Sequence, residues 1–162
     1  MDKLSVVILN YNSNGFLINC LKSLKVLKEE INLDIWVIDN ASTDESVILA
    51  KQSFPKIKQA CCYAINYISE KKNIGFSKGN NLGLRKVKNE YVLILNPDTE
   101  IFPGTLKYMI QFMKDHQNVG AATCRVELPD GTLDWGSHRG FPTPFASFLY
   151  YFLKNDSLYH QS

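Results

Sequence analysis

The aliphatic run at residues 92–95, which stops just before a proline, constrains the fold of this chain more than any other segment. All four residues are Val, Leu or Ile, a pattern typical of a strand that is covered on both faces. Pro97 cannot donate a hydrogen bond to a sheet, so the strand must end before it. Asp98 follows at once, and we therefore expect a carboxylate at the carboxyl end of a buried strand.

Strand and helix patterns alternate along the rest of the chain. The predicted strands are 4–9, 35–38, 58–68, 91–96 and 119–126, and the predicted helices are 17–28, 45–53, 79–87 and 104–114. Ser13 or Asn14 is expected to cap the first helix, and Ser42 or Thr43 the second. This alternation predicts an α/β fold with a mostly parallel central sheet and helices on both faces.

Composition and charge narrow the class of protein. A hydrophobic content of 45% and a net charge of +2 indicate a soluble globular domain with no nucleic-acid partner. The four cysteines have no C-x-x-C spacing, so we expect reduced thiols. There is no signal-peptide pattern and no apolar stretch near the roughly 20 residues that span a bilayer. We therefore expect a cytoplasmic protein, either free or at the inner face of the cytoplasmic membrane.

Three of the predicted strands end in polar clusters, at residues 10–12, 39–42 and 96–98. The carboxyl ends of parallel strands share one edge of a sheet, so these clusters are expected to converge on one crevice. There, Asp39 can accept a hydrogen bond from a base N–H or a ribose hydroxyl, and Tyr11 offers a flat face to a nucleobase.

Other polar residues of these segments have two open interpretations. Asn12, Ser42 and Asn81 are as well suited to turns and caps as to ligand contacts. The segment 72–81 contains Gly75 and Gly79, and its backbone can approach a phosphate or a sugar closely. It matches neither the phosphate-binding P-loop nor the dinucleotide-binding fingerprint.

Asp98 also has two interpretations when it is taken alone. A carboxylate in this place can hold a divalent cation against phosphate oxygens. It can equally form a turn and cap the helix that begins near Pro103.

Taken together, four segments resemble the inverting glycosyltransferases of family 2, with the rhamnosyltransferase-like branch as the most similar. These segments are 7–12, 37–44, 73–83 and 95–100, in the order and spacing of the family. The resemblance extends to about Pro144. It implies a GT-A-type, Rossmann-like nucleotide-sugar-binding domain over residues 1–144.

The resemblance also implies roles for individual residues in binding the donor. Tyr11 and Asp39 would contact its base and ribose, and the predicted donor-binding set is completed by Asn10, Asn40, Asn73, Lys78, Asn80 and Asn96. Asp98 matches the last position of the family's D-x-D motif and would bind Mg²⁺ or Mn²⁺ at the diphosphate. Asn96 stands at the first position of that motif, where an amide oxygen is a weaker ligand than a carboxylate.

The implied reaction transfers a sugar from a UDP- or dTDP-sugar to a glycan or lipid-linked acceptor with inversion, in surface polysaccharide biosynthesis. Such a reaction needs a general base, which the family carries in a later acidic motif. No such motif follows Phe141, and Asp156 lacks its context. We therefore expect residues 1–144 to be the donor-binding half, with the acceptor half missing, and to transfer little sugar alone.

Two alternatives to a transferase stay open from the sequence. The first is a non-catalytic nucleotide-sugar-binding module, or a truncated inactive fragment, that needs a partner for the base. The second is a nucleotidyltransferase, which would require a Gly-rich basic loop after the first strand, and residues 10–13 do not form one.

The tail at residues 145–162 carries an aromatic pattern of its own. Phe145, Phe148, Leu149 and Phe152 recur at one face of a predicted helix. One interpretation is a helix that packs on the acceptor half or on a second copy, giving a homodimer. The other is an interfacial helix on a membrane that holds a lipid-linked acceptor, although only Lys154 supplies a nearby positive charge.

Overall fold

The computed structural model describes residues 1–60, 62–137, 143–145, 148 and 152. The chain divides into two compact units, Met1–Gly120 and Ala121–Ser162.

The first unit is built on a five-stranded sheet with the order β3-β4-β2-β1-β5. Its strands are Lys3–Asn10 (β1), Asn32–Asp39 (β2), Ile57–Ala60 (β3), Tyr63–Ser69 (β4) and Tyr91–Leu95 (β5). Its helices are Phe16–Val26 (α1), Ser46–Ser53 (α2), Phe76–Leu84 (α3) and Thr105–Asp115 (α4). Strand β1 pairs in parallel with β2 and β5, and β2 pairs in parallel with β4. The predicted α/β fold with a mostly parallel sheet is confirmed.

Alternation along the strands divides the sheet into two packed faces. On one face, Val6 and Ile8 of β1 lie in a buried core with Leu17 and Leu21 of α1 and with Leu106 of α4. Successive side chains of a strand point to opposite faces, so the residues between them, Ser5, Val7 and Leu9, point to the other face, where α3 packs.

Helix α3 lies unusually close to β1 because two of its residues are glycines. A Cβ atom added to Gly83 would stand 2.4 Å from Cγ1 of Val7, and one added to Gly79 would stand 2.4 Å from Cδ1 of Leu9. Gly79 was expected at the start of this helix, in a segment whose backbone can approach a phosphate or a sugar. It lies further inside the helix, where it permits close packing on the sheet.

The predicted strand at 58–68 is wrong as a single element. It is two strands, because β3 pairs antiparallel with β4. This segment contains no glycine or proline, and a continuous run of mixed apolar residues does not mark the position of a reversal.

The predicted strand at 119–126 is also wrong. In the described part of the chain, residues 121–126 have no regular structure, and an isolated bridge joins Glu127 to Leu133. A strand needs a partner ladder as well as a suitable composition, and among the described residues this segment has no such ladder.

Strand β5 was expected to be covered on both faces, and only one face is covered. Leu95 lies in the core with Tyr91 and Leu93 packed against it, whereas Val92 is 37% and Ile94 is 50% exposed. Strand β5 is at the edge of the sheet, and α3 packs on β1 and β2.

The predicted helix caps are wrong as well. Helix α1 begins after Gly15 and α2 after Glu45, and neither start has a side-chain cap. The Ser42 and Thr43 side chains instead bond to the loop after β1, and the Ser13 hydroxyl donates to Asn10 within its own loop. No helix among the described residues is long and apolar enough to cross a membrane.

The described part of the second unit is a small turn followed by a short 3-10 helix, Trp135–Ser137. The Leu128 N–H donates to the Thr132 carbonyl at 2.8 Å, and Gly131 between them has a φ of 81°. In the predicted aromatic tail, Phe145, Phe148 and Phe152 are helical and exposed. The rest of the tail, including Leu149 and Lys154, lies outside the described residues.

Candidate functional site

The carboxyl ends of β2, β1 and β5 lie side by side on one edge of the sheet. Asn10 at the end of β1 is in register with Asp39 of β2, and Ile8 is in register with Leu95 of β5. Neighbouring strands are about 4.8 Å apart, so Asp39 and the 96–98 turn flank the end of β1. The predicted convergence of the three polar clusters is observed, at the point where strand order reverses and ligands bind in such sheets.

The loops that follow β1 and β2 are joined by hydrogen bonds into one structure, residues 10–14 and 39–46, which we call the clasp. The side-chain oxygen of Asn12 accepts from the Thr43 N–H at 2.7 Å. The Asn12 N–H in turn donates to the Ser42 hydroxyl at 3.1 Å. The Asp44 carboxylate accepts from the Asn14 N–H at 2.7 Å. Each loop therefore satisfies backbone groups of the other.

Asn10 is the buried first residue of the clasp and was predicted to contact the donor. Its side chain is fully buried, and its amide nitrogen donates to the hydroxyls of Ser42 and Ser46, both at 3.0 Å. Its oxygen accepts from the Ser13 hydroxyl. The Asn10 side chain thus links the two loops of the clasp.

Tyr11 and Asp39 are at the surface of the clasp. The Tyr11 side chain is 50% exposed, and its chain neighbours Asn10 and Asn12 are both bonded to the second loop. Oδ1 of Asp39 accepts from the Ser42 N–H at 3.0 Å. Among the residues that the structure describes, Oδ2 of Asp39 has no recorded donor. An exposed ring and an available carboxylate oxygen thus stand on the two loops of the same clasp.

The clasp also holds unusual backbone conformations. Asn12, Asn14 and Ala41 have φ values of 52°, 50° and 65°, and they are the non-glycine residues with positive φ in the described part of the chain. Asparagine tolerates this region, whereas alanine does so at a cost of roughly 1–2 kcal/mol. Backbone strain of this kind clusters at binding sites, where the surrounding structure enforces it.

A third loop, at residues 73–75, is tied to the end of β2 by Asn40. The Asn40 amide donates to Oδ1 of Asn73 at 2.9 Å, and its oxygen accepts from the Ile74 N–H at 2.9 Å. Oδ1 of Asn73 also accepts from the Gly75 N–H at 2.9 Å. Gly75, with a φ of 84°, then turns the chain into α3. Asn40 and Asn73 therefore position the start of this helix.

The start of α3 presents polar groups at the same edge. The helix has no side-chain cap, which leaves N–H groups free and a partial positive charge at that end. Lys78 is exposed in the first turn. Asn80 is 5% exposed; its nitrogen donates to the Phe76 carbonyl at 3.1 Å, and its oxygen has no partner among the described residues. That oxygen can accept from a hydroxyl or an N–H group.

The turn after β5 is open by comparison. The Thr99 N–H donates to the Asn96 carbonyl at 3.3 Å, and the side chains of Asn96 and Asp98 are exposed. Helix α4 begins after Gly104 without a side-chain cap. The interpretation of Asp98 as a helix cap is therefore wrong. Within the described residues its carboxylate accepts no hydrogen bond.

Residues of α1 that sequence reasoning missed fix the backbone of this turn. The Ser23 hydroxyl accepts from the Ile101 N–H at 3.0 Å and donates to the Cys20 carbonyl at 2.7 Å. The Cys20 thiol lies 3.9 Å from the Asn96 carbonyl oxygen. Burial, and then the charges of Asp98 and Glu100, raise the pKa of this thiol to about 12, so it stays protonated at neutral pH. The signal for these contacts was the presence of Cys20 and Ser23 on an otherwise apolar helix face.

The donor set at this turn fits one kind of metal binding. No group of three or more His, Cys, Asp and Glu side chains in the described part of the chain could hold a metal ion. Mg²⁺ and Mn²⁺ are often held by one or two carboxylates while substrate phosphates and water complete the shell. Asp98, with Asn96 beside it, is compatible with that arrangement and not with an all-protein cage.

Comparisons with known proteins agree with this geometry. Residues 5–162 match the family described as glycosyl transferase family 2. One relative, the low-salt glycan biosynthesis hexosyltransferase Agl10 of Haloferax volcanii, is 34% identical over 106 residues, or 62% of this chain and 29% of the relative. Another, the minor teichoic acid biosynthesis protein GgaB of Bacillus subtilis, is 27% identical over 70% of this chain and 12% of its own length. The chain thus spans less than a third of either relative.

Solved structures show the same fold. The mannosyltransferase PcManGT from Pyrobaculum calidifontis, in complex with GDP-Man and Mn²⁺, aligns with a TM-score of 0.61 and 25% identity over 78% of this chain and 36% of its own. Residues 1–349 of S. aureus TarS, in complex with UDP-GlcNAc, align with a TM-score of 0.59 and 22% identity over 80% of this chain and 41% of that chain. Both are GT-A glycosyltransferases, so the predicted GT-A-type fold is confirmed.

Proposed function

Since this chain belongs to glycosyl transferase family 2, we propose that it is the donor-binding part of an inverting glycosyltransferase that takes its sugar from a nucleoside diphosphate. One observation carries the proposal. The register of β1, β2 and β5 brings an exposed aromatic ring, an available carboxylate and a second exposed carboxylate to one edge of the sheet. The ring can stack on a nucleobase. The first carboxylate can accept a hydrogen bond from a base N–H or a ribose hydroxyl, and the second can bind a cation on the diphosphate.

Each part of the donor has a candidate partner at this edge. Tyr11 stacks on the base while Asp39 accepts from a base N–H or a ribose hydroxyl. Asn80 offers its unpartnered oxygen to a ribose hydroxyl. Lys78 and the free N–H groups of α3 face the diphosphate, since a helix start favours anions.

The cation side has a separate task. Asp98 holds Mg²⁺ or Mn²⁺, and Asn96 contributes a weaker oxygen. A bound cation neutralises the charge that develops as the nucleoside diphosphate leaves. The complex of PcManGT with Mn²⁺ supports this choice of metal.

Three residues that were predicted to contact the donor are better assigned to holding the loops of the site in place. Asn10 is buried, and Asn40 and Asn73 use their side chains to hold the loop before α3. We assign to them the placement of Tyr11 and of the start of α3.

The nucleoside diphosphate of the donor is UDP, dTDP or GDP. The first two follow from the resemblance to the rhamnosyltransferase-like branch, which remains a proposal, and the third from the GDP-Man complex of PcManGT. The names of the relatives, which refer to glycan and teichoic acid biosynthesis, support a glycan or lipid-linked acceptor and a role in surface polysaccharide biosynthesis.

The general base that deprotonates the acceptor is assigned to none of the described residues. The described acid nearest to the tail, Asp134, accepts from the Gly136 N–H at 2.9 Å and lies in the 126–137 turn. We therefore propose that this chain alone binds donor and transfers little sugar, and that added segments or a partner chain supply the base. Contact through the tail, with a second copy or with a membrane surface, is a further proposal that rests on exposed Phe145, Phe148 and Phe152.

Titration calorimetry with UDP, dTDP and GDP, each with and without Mn²⁺, tests the function. One of the three should bind, and more tightly with Mn²⁺. Asp39→Asn should weaken that binding about tenfold, since a hydrogen bond to a charged group contributes roughly 1.5–3 kcal/mol. Absence of binding at millimolar concentration of all three nucleotides would overturn the proposal.

A further inference from the structure

Asp44 lies in the second loop of the clasp, three residues after the turn made by Ala41, and it has no place in the donor set. Its Oδ2 accepts from the Asn14 N–H at 2.7 Å, across the two loops. Its Oδ1 accepts from the Ser46 hydroxyl at 2.5 Å and from the Ser46 N–H at 3.2 Å. One carboxylate therefore joins the start of α2 to the loop that carries Tyr11.

These contacts continue to both sides of Tyr11. Ser46 accepts from the buried amide of Asn10 at 3.0 Å, and the Asp44 N–H lies 3.4 Å from the Asn12 side-chain oxygen. Asp44 is thus linked to the residue before Tyr11, to the residue after it, and to Asn14. The ring itself is half exposed, so its direction depends on the backbone that these bonds hold.

The backbone that follows Tyr11 has an uncommon conformation. Asn12 and Asn14, on either side of the Ser13 turn, both have positive φ, so without cross-loop bonds the loop would sample other conformations. The hydrogen bonds to Asp44 stabilise its ionised form. Burial opposes ionisation, but the hydrogen bonds from Ser46 and from the Asn14 N–H outweigh it and hold the pKa of Asp44 below its usual value.

We propose that Asp44 is a positioning residue for nucleobase recognition: it does not touch the donor, and it closes the clasp so that Tyr11 presents its ring beside Asp39. The proposal rests on the proposed function, because it needs a nucleotide at this edge. It goes further in assigning part of the nucleotide affinity to a residue outside the contact surface.

The test compares Asp44→Asn with a charge-matched control, Glu29→Gln. Glu29 is exposed and lies outside the clasp, and its side chain makes no hydrogen bond among the described residues. The probe is whichever of UDP, dTDP and GDP binds the wild-type chain most tightly, together with its parent nucleoside. Asp44→Asn should weaken nucleotide and nucleoside by the same factor, about tenfold. Glu29→Gln should change neither affinity by more than about twofold.

A double-mutant cycle with Tyr11→Ala separates positioning from general stability. If Asp44 acts through Tyr11, the tenfold loss should shrink to about twofold or less in the Tyr11→Ala background. A purely structural role would give the same loss in both backgrounds, and that result would overturn the proposal.

A second variant covers the case in which Asp44→Asn does not fold, as judged by circular dichroism and thermal unfolding. Asn12→Gly removes the side-chain oxygen that accepts from the Thr43 N–H across the loops, and glycine adopts the positive φ of this position without strain. It should weaken the nucleoside several-fold, with the same dependence on Tyr11. If the wild-type chain binds none of the nucleotides, the proposed function fails. If it binds them and the variants bind equally well, only the role of Asp44 is wrong.

Discussion

The two sides of the candidate site differ in how completely they are built. On the nucleoside side, side-chain hydrogen bonds hold the clasp and the 73–75 loop: Asn10 donates to Ser46, and Asn12, Asn40 and Asp44 accept from backbone N–H groups. On the cation side, the Asp98 carboxylate is exposed and accepts no hydrogen bond from the described residues. Under the proposed function, the nucleoside side is held in place before the ligand arrives, whereas the diphosphate side is completed by the cation.

The position of each strand in the sheet explains the difference. Strands β1 and β2 are internal, so the loops that follow them have neighbours with which to bond. Strand β5 is an edge strand with one exposed apolar face. The turn that follows it is held at its backbone, by Ser23 at Ile101 and by Glu30 at the Gly104 N–H.

The largest effect is expected when the support of the nucleoside side is removed. Asn10→Ala leaves the hydroxyls of Ser42 and Ser46 without their buried donor and should lower the free energy of unfolding by about 3 kcal/mol. Asn19→Ala, at an exposed position of α1, should change it by no more than about 0.5 kcal/mol. Urea denaturation measures both. A loss below about 1 kcal/mol for Asn10→Ala would show that the clasp is not a tightly held structure.

The next largest effect concerns the cation side alone. Asp98→Asn should abolish the increase in nucleotide affinity on adding Mn²⁺, a loss of at least about tenfold, and should leave affinity for the parent nucleoside unchanged. Glu90→Gln, immediately before β5 and so at the opposite end of that strand, should alter neither. Calorimetry with and without Mn²⁺ measures the effect. Equal weakening of nucleoside and nucleotide would mean that the two sides are not separate.

Ser23→Ala should have a smaller effect on the same side. Loss of the bond to the Ile101 N–H should cost about 1 kcal/mol of unfolding free energy and reduce the Mn²⁺-dependent increase in affinity roughly threefold. Ser53→Ala, at the exposed end of α2, is the matched control. If Ser23→Ala weakens nucleoside binding instead, the contact with α1 supports the clasp rather than the cation turn.

The smallest effect tests the strain in the clasp. Glycine adopts positive φ freely, so Ala41→Gly relieves the backbone strain, but it also increases the conformational entropy of the unfolded chain. The net effect should be to raise the free energy of unfolding by about 0.5 kcal/mol. Ala50→Gly, in the interior of α2, should lower it by about 1 kcal/mol. Thermal and urea unfolding distinguish the two signs. Destabilisation by Ala41→Gly would argue against strain at this turn.

The sequence predicted the parts of this site that depend on one strand and its end. Aliphatic runs that stop at Asn10, Asp39 and Pro97 mark strand ends, and parallel order brings those ends to one edge. The β3–β4 reversal was missed because no turn residue marks it, and the open face of β5 because composition does not tell an edge strand from an internal one.

Contacts between loops could not be predicted from local patterns in the sequence. The bond from Asn14 to Asp44 joins residues 30 positions apart, and that from Ile101 to Ser23 joins residues 78 apart. Such bonds depend on strand order and register, which no single segment contains. For the same reason Asn10 resembled a donor contact in the sequence, although its side chain faces inward in the fold.

Nuclear magnetic resonance of the isotopically labelled chain tests the central claim most directly, because it locates base and cation separately. The nucleotide without metal should shift the amide resonances of residues 10–14, 39–44 and 73–80. Addition of paramagnetic Mn²⁺ should then broaden resonances around Asp98 first. Shifts confined to other surfaces, or broadening that leaves residues 96–100 sharp, would contradict a donor site at this edge of the sheet.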